Sequence, residues 1–201
     1  MTAPIEFFFD FSSPYGYIAA SRAEAIEQAT GRELSFNPYL MGALFKSTGR
    51  QPLASHPLVW DYAKHDVART ARRFGIDFNL PEPFPVATAS ACRAFYWVSA
   101  NEGDDAARAL AMDLLRTYFV DGRNIATAET VAGIAAAGGR DEAAVREALA
   151  DPAHKEALRE RTDAAAARGI FGSPYFIVDG EPFWGQDRVD DVIRWALGER
   201  W

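Results

Sequence analysis

Residues 5–17 read IEFFFDFSSPYGY, and the fold is argued outward from them. Ile5, Phe7, Phe8 and Phe9 are apolar on both faces of any strand they form, as in a central strand covered by layers on either side. The run stops at Asp10. Ser12 and Ser13 then offer capping hydroxyls, Pro14 suits the first turn of a helix, and Tyr15, Ile18, Ala19, Ile26 and Ala29 recur at helical spacing until Gly31. The expectation is strand, tight turn and one helix, followed by a second strand over 33–39, where Leu34 and Phe36 alternate with polar neighbours.

Further along, Pro52, Pro57, Pro81, Pro83 and Pro85 break 42–85 into loops around one predicted helix near 60–74. From 88 to 168 the chain is rich in alanine, leucine and charge, with breaks at Gly103, Gly122, Gly138 and Asp151, which predicts four or five helices. Tyr175 to Val178, a turn at Asp179 and Gly180, and Glu181 to Trp184 read as a hairpin, closed by a last helix over 187–197. The order βαβ, helical block, ββα yields an α/β fold, a thioredoxin-like four-stranded mixed sheet with an inserted all-helical domain. The expected division is 1–45 with 165–201 for the sheet domain and 46–164 for the insertion.

Bulk properties exclude several functions. With 49% apolar and 24% charged residues, the 201-residue chain has a globular composition. A net charge of -7 lacks the basic footprint of a nucleic-acid binder. The first residues have no basic region before their short apolar run, and no stretch approaches a membrane span, so the expected location is cytoplasmic, with no membrane partner. Cys92 is the single cysteine, which rules out an internal disulfide or a C-x-x-C pair. His56, His65 and His154 show no metal-ligand spacing, so no metal is expected.

Asp10 to Tyr17, DFSSPYGY, resembles the active-site turn of the 2-hydroxychromene-2-carboxylate isomerase and kappa-class glutathione transferase family, within the DsbA-like branch of the thioredoxin superfamily. Gly169 to Pro174, GIFGSP, resembles that family's loop ending in a cis proline; Trp184 to Arg188, WGQDR, its segment before the last helix; and Tyr118 to Ile125, YFVDGRNI, a turn in its helical insertion. The motifs are specific as a set and span almost the whole chain.

The resemblance implies glutathione as cofactor, Ser13 as the catalytic residue in place of the first cysteine, and Ser173, Pro174, Gln186, Asp187 and Arg50 as cofactor-binding residues. Arg50 stands where the family often has an asparagine, and Val59 near an expected lysine. It further implies a small aromatic substrate, a homodimer and a role in aromatic catabolism. The reaction implied is interconversion of 2-hydroxychromene-2-carboxylate and trans-o-hydroxybenzylidenepyruvate by reversible addition of glutathione's thiolate. A kappa-like transferase that conjugates electrophiles and a non-catalytic thioredoxin-like binding module are the alternatives.

Each residue also has a plainer reading. Ser13 can donate to a thiol sulfur and lower its pKa, or simply cap a helix. Ser173 and Pro174 can form a cis peptide pairing with a ligand strand, or an ordinary trans strand start. Asp187 can bind an ammonium, cap the last helix, or do both. Arg69, Arg72 and Arg73 read as a solvated helix face, with attraction of a carboxylate substrate as the alternative. Phe45, Trp60 and Trp184 can wall an aromatic pocket or belong to the core. Cys92, in an alanine-rich helix, reads as a small buried residue.

Overall fold

A computed structural model describes residues 2–49 and 51–201, with the backbone alone at 46–48. Four strands form one sheet in the order β2-β1-β3-β4: β1 (Ile5–Phe9), β2 (Leu34–Pro38), β3 (Tyr175–Val178) and β4 (Glu181–Trp184). The β1 strand runs parallel to β2, with Phe7 opposite Phe36, and antiparallel to β3, with Phe7 opposite Phe176. The hairpin partner β4 forms the edge, where Pro182 is tolerated.

The apolar run in β1 is buried on both faces, as expected. Phe7 and Phe9 stack at 4.9 Å, and Phe36 and Phe176 lie 5.1 and 5.2 Å from Phe7, in a core that includes much of the helical layer. Phe8 points the other way, into a smaller cluster with Tyr39, Ile170 and Ile177. Alternation along the strand sends successive side chains into these two layers.

Ten helices are present among the described residues. The first two, α1 (Pro14–Ala20) and α2 (Ala23–Thr30), replace the single helix expected up to Gly31. Ser21 N–H bonds Tyr17 O and Arg22 N–H bonds Ala19 O, tightening the end of α1. Almost all of α1 is buried, whereas α2 buries only Ala23 and Ile26, so the break between them falls where exposure changes.

Between β2 and β3 come α3 (Met41–Thr48), α4 (Pro57–Arg73), α5 (Ala89–Glu102), α6 (Asp104–Phe119), α7 (Ala128–Ala137), α8 (Glu142–Ala150) and α9 (Pro152–Ala167); α10 (Val189–Ala196) closes the chain. The five helices of 88–168 follow the expected breaks. Thr127, Asp141 and Asp151 each cap the helix that follows with a side-chain oxygen.

Helix α3 corrects the expectation of loops from residue 42. Its start has no side-chain cap from its own N-cap residue; instead Met41 N–H donates to Asp10 Oδ2 at 2.9 Å. A carboxylate from β1's end therefore anchors this helix, which no local pattern reveals. Among the described residues no helix is long and apolar enough to cross a membrane.

Candidate active site

The turn after β1 places Ser13 at the N-cap of α1, with 5% of its surface exposed. Gly16 N–H donates to Ser13 Oγ at 3.1 Å, and Ser13 Oγ donates to the carbonyl of Ser173 at 3.0 Å. The capping reading thus holds, and the same hydroxyl also reaches across 160 residues to the loop before β3. Ser173–Pro174 is a cis peptide. Asp10 N–H donates to Ser173 Oγ at 3.0 Å, and Tyr39 Oη donates to Gly172 O at 2.7 Å, so the loop is tied to the turn at several points.

Gly16 sits where a C-x-x-C motif would have its second cysteine. A Cβ there would lie 2.7 Å from Ser173 Oγ and 3.1 Å from Ser13 Cβ, so the space is taken by Ser173. Absence of a side chain at this position is a packing requirement.

Asp10, which the sequence marked as the strand's end and the first residue of the turn motif without giving it a role, is buried beneath this turn. Its carboxylate accepts from Ser12 N–H at 2.8 Å, Met41 N–H at 2.9 Å and Thr88 Oγ1 at 3.1 Å. Burial pushes its pKa up, against the pull of those three donors. Burial, then the Asp10 charge, also pushes the Tyr39 hydroxyl up. The available signal for Asp10 was an acid closing an apolar run directly before a capping turn. Cys92 lies fully buried in α5, its thiol pushed well above the usual range by burial, in keeping with the inert reading.

Ser13 opens onto a cleft of about 1910 Å³. This exceeds the roughly 300–1,000 Å³ of ordinary small-molecule pockets and leaves room for two reactants. Trp60 and Phe84 stack at 5.0 Å with planes 4° apart on one part of its lining, and Phe171 meets Trp184 edge to face at 5.0 Å on another. Phe45 also lines it, so the aromatic residues singled out from sequence border the cleft. Phe84 and Phe171 were missed because isolated aromatics in loops carry no periodic signal.

Beside Ser13, Tyr15 Oη donates to Asp66 Oδ2 at 2.7 Å, and Arg69 Nη2 contacts Asp66 Oδ1 at 2.6 Å and Tyr62 Oη at 2.9 Å. Burial raises the Tyr15 pKa, helped by the Asp66 hydrogen bond; burial would raise Asp66 too, but bonds from Tyr15 and Arg69 hold it low. Arg69 and Arg73 border the cleft while Arg72 does not, so the three arginines divide between the two readings.

Ser173, Pro174, Gln186 and Asp187 all border the same cleft as Ser13. Arg50 lies outside the described residues; Val59 is on the lining, 47% exposed. Gln186 Oε1 is buried with no hydrogen-bond partner among the described residues, an unpaired acceptor on a residue of the cleft's wall. Such an acceptor suits a ligand carrying an ammonium or amide N–H, so the residues present fit a peptide-like thiol. The cap role expected for Asp187 is not formed: Asp187 belongs to a short 3-10 turn, Gln186–Arg188, and Arg188 stands at the N-cap of α10 without a side-chain bond. The chain turns too tightly there, leaving Asp187 exposed and 3.4 Å from Arg188 Nη2.

Comparison with known proteins bears on the family and the fold. Residues 4–194 match the family described as the DSBA-like thioredoxin domain. A 2-hydroxychromene-2-carboxylate isomerase from Sphingobium xenophagum is 27% identical, covering 98% of this chain and 100% of its own. Glutathione S-transferase kappa 1 of Rattus norvegicus is 25% identical, covering 98% and 92%. A solved 2-hydroxychromene-2-carboxylate isomerase superposes with a TM-score of 0.86 at 25% identity, over 96% of this chain and 94% of that one.

Proposed function

The chain belongs to the family of DSBA-like thioredoxin domains, and on that footing we propose that it is a glutathione-dependent isomerase that interconverts 2-hydroxychromene-2-carboxylate and trans-o-hydroxybenzylidenepyruvate, or acts on a related substrate of aromatic catabolism. The observation that carries this reading is the 3.0 Å contact from Ser13 Oγ to the Ser173 carbonyl, which joins the turn and the cis-proline loop at one cleft. The names of the isomerase relatives and the aromatic lining support the choice of substrate class.

Glutathione, when bound, supplies a thiolate able to add reversibly to an electrophilic carbon, which the buried Cys92 of this chain cannot. Ser13 orients the sulfur and favours its ionised form by hydrogen bonding. The backbone at Ser173 and Pro174 holds the cysteinyl unit, Gln186 and Asp187 hold the γ-glutamyl ammonium, and Arg50 contributes a further cofactor contact. Trp60, Phe84, Phe171 and Trp184 exclude water and orient the aromatic ring, and Arg69 and Arg73 draw a carboxylate to the rim. Residues 46–164 form the insertion bearing the Trp60 wall, and 1–45 with 165–201 form the thioredoxin-like domain. The enzyme works as a homodimer in the cytoplasm.

A transferase that conjugates electrophiles is the second reading, favoured by the kappa-class relatives; glutathione retained in the product separates the two. The test is calorimetric titration with glutathione, with the ultraviolet thiolate band followed near neutral pH. Saturable binding with thiolate formation is expected, and Ser13→Ala should lower turnover about 10²-fold, as loss of one preorganised donor does. No binding at millimolar glutathione would reject the reading and leave a binding module for another ligand.

A further inference from the structure

Two serines stand side by side in the turn after β1, and only Ser13 caps α1. The Ser12 hydroxyl is committed elsewhere: its Oγ accepts from Val86 N–H at 3.1 Å, across 74 residues. Val86 belongs to the segment 80–87 between α4 and α5, which carries Phe84 of the cleft wall. Among the described residues no backbone–backbone hydrogen bond reaches 80–87, and Pro81, Pro83 and Pro85 have no N–H to offer one. Side chains hold the segment instead. Tyr118 Oη donates to Pro83 O at 3.0 Å, Ser12 Oγ takes Val86 N–H, and Thr88 just beyond donates to Asp10. Ser12 also lies by the Tyr118 hydroxyl, whose pKa burial pushes up to about 12 against the pull of a Ser12 hydrogen bond. Phe84 is thus strung between a tie at the residue before it and a tie at Val86, and its ring meets Trp60 at 5.0 Å with planes 4° apart.

We propose that Ser12 sets the cleft's preference for flat aromatic substrates, by fixing through Val86 the position of Phe84 against Trp60. This rests on the aromatic-substrate reading of the cleft and deepens it by naming the residue that governs that preference. Ser12 is a positioning residue, acting through Val86 and Phe84. One turn then serves both reactants: Ser13 addresses the sulfur, and Ser12 registers the wall against which the ring lies. A flat ring gains from a stack only where the partner ring is held at a set distance and angle, so a wall that is free to shift favours no particular shape. Without the Ser12 hydroxyl, Val86 N–H loses its acceptor, and Phe84 keeps its near tie at Pro83 alone.

The test is calorimetric titration, without thiol, with 2-naphthoate and with its saturated counterpart decahydro-2-naphthoate, two carboxylates of similar size and equal charge of which only the first is flat. The parent protein is expected to bind 2-naphthoate about three- to tenfold more tightly, the range that one aromatic stack adds. In Ser12→Ala that preference should fall to within about twofold, while Ser12→Thr, which keeps the hydroxyl, retains it. Glutathione affinity, titrated separately, should stay at the parent's value in both. A general loss of packing would weaken the two carboxylates alike and leave their ratio unmoved. Tyr118→Phe, which removes the tie at Pro83, should reduce the preference in the same direction, and it carries the test if Ser12→Ala does not fold. A preference that survives loss of these ties overturns the proposal, as does a parent protein that shows none. Failure of glutathione to bind, with a Ser12-dependent preference intact, rejects the glutathione reading alone.

Discussion

Asp10 joins three segments through one carboxylate: the turn at Ser12, the start of α3 at Met41, and Thr88 just before α5. All three partners donate, so an amide at this position would set an N–H₂ against a donor and leave at least one buried group unpaired. Asp10→Asn is therefore expected to lower stability by about 1–3 kcal/mol, seen as a lower denaturant midpoint; an unchanged midpoint would count against this role. Gly16 is constrained by contact and not by dihedral angle, since a Cβ would meet Ser173 Oγ at 2.7 Å. Gly16→Ala should displace the Ser173 side chain, costing about 1–3 kcal/mol and weakening thiol binding at least several-fold by titration. A variant that binds glutathione as the parent does would show that the loop can yield. Sequence made Ser13 legible through its capping pattern, whereas Ser173 needed the family's loop, because nothing local says that residues 160 apart will touch.

Among the elements, the β3–β4 hairpin is tied to the start of β2 by Arg32, whose guanidinium makes a bidentate pair with Asp179 at 3.0 and 2.8 Å and whose Nε donates to Ala3 O at 2.8 Å. The Arg32 side chain is 3% exposed and that of Asp179 43%, so the pair lies between a buried and a surface bridge. Asp179→Asn keeps a residue type that tolerates the positive φ of 52° found there but strips Arg32 of its counter-charge. The expected loss is about 1–2 kcal/mol near neutral pH, less than for a fully buried pair because solvent screens one partner. Arg32 holds the Asp179 pKa below its ordinary 3.8. A carboxyl depressed in the folded state contributes stability above its unfolded value and loses it as pH falls through the folded value. Wild type and variant should therefore converge in stability only as pH falls through that folded value, which lies below 3.8, and a gap that persists beneath it would assign the effect to packing. The split of α1 from α2 and the presence of α3 belong to this scale too: spacing marked helical residues, but the break at Ser21 rests on the backbone bonds that close α1, and the anchor on Met41 on a carboxylate 31 residues away.

Over the whole molecule, the cleft is lined from both parts of the chain: Ser13, Phe171 and Trp184 from the segments that build the sheet and its loops, Trp60 and Phe84 from the long stretch between β2 and β3. Trp60→Ala removes the stacking partner of Phe84 and should raise KM for the aromatic substrate about two- to tenfold, with glutathione affinity unchanged by calorimetry. An equal loss of both affinities would mean that Trp60 supports the whole cleft and not one subsite. The sequence by itself determined the strands, most helices and their order, because an apolar run, a 3.6-residue period and a capping side chain act within a few residues. It also marked Ser13 and the 169–174 loop. Tertiary structure alone decided that Asp10 lies under the turn, that Ser173 fills the space beside Gly16, that Gln186 Oε1 is buried with no hydrogen-bond partner among the described residues, and that Asp187 does not cap α10. Those outcomes depend on which distant atoms compete for one hydrogen bond or one volume, and such competition exists only once the chain has closed upon itself.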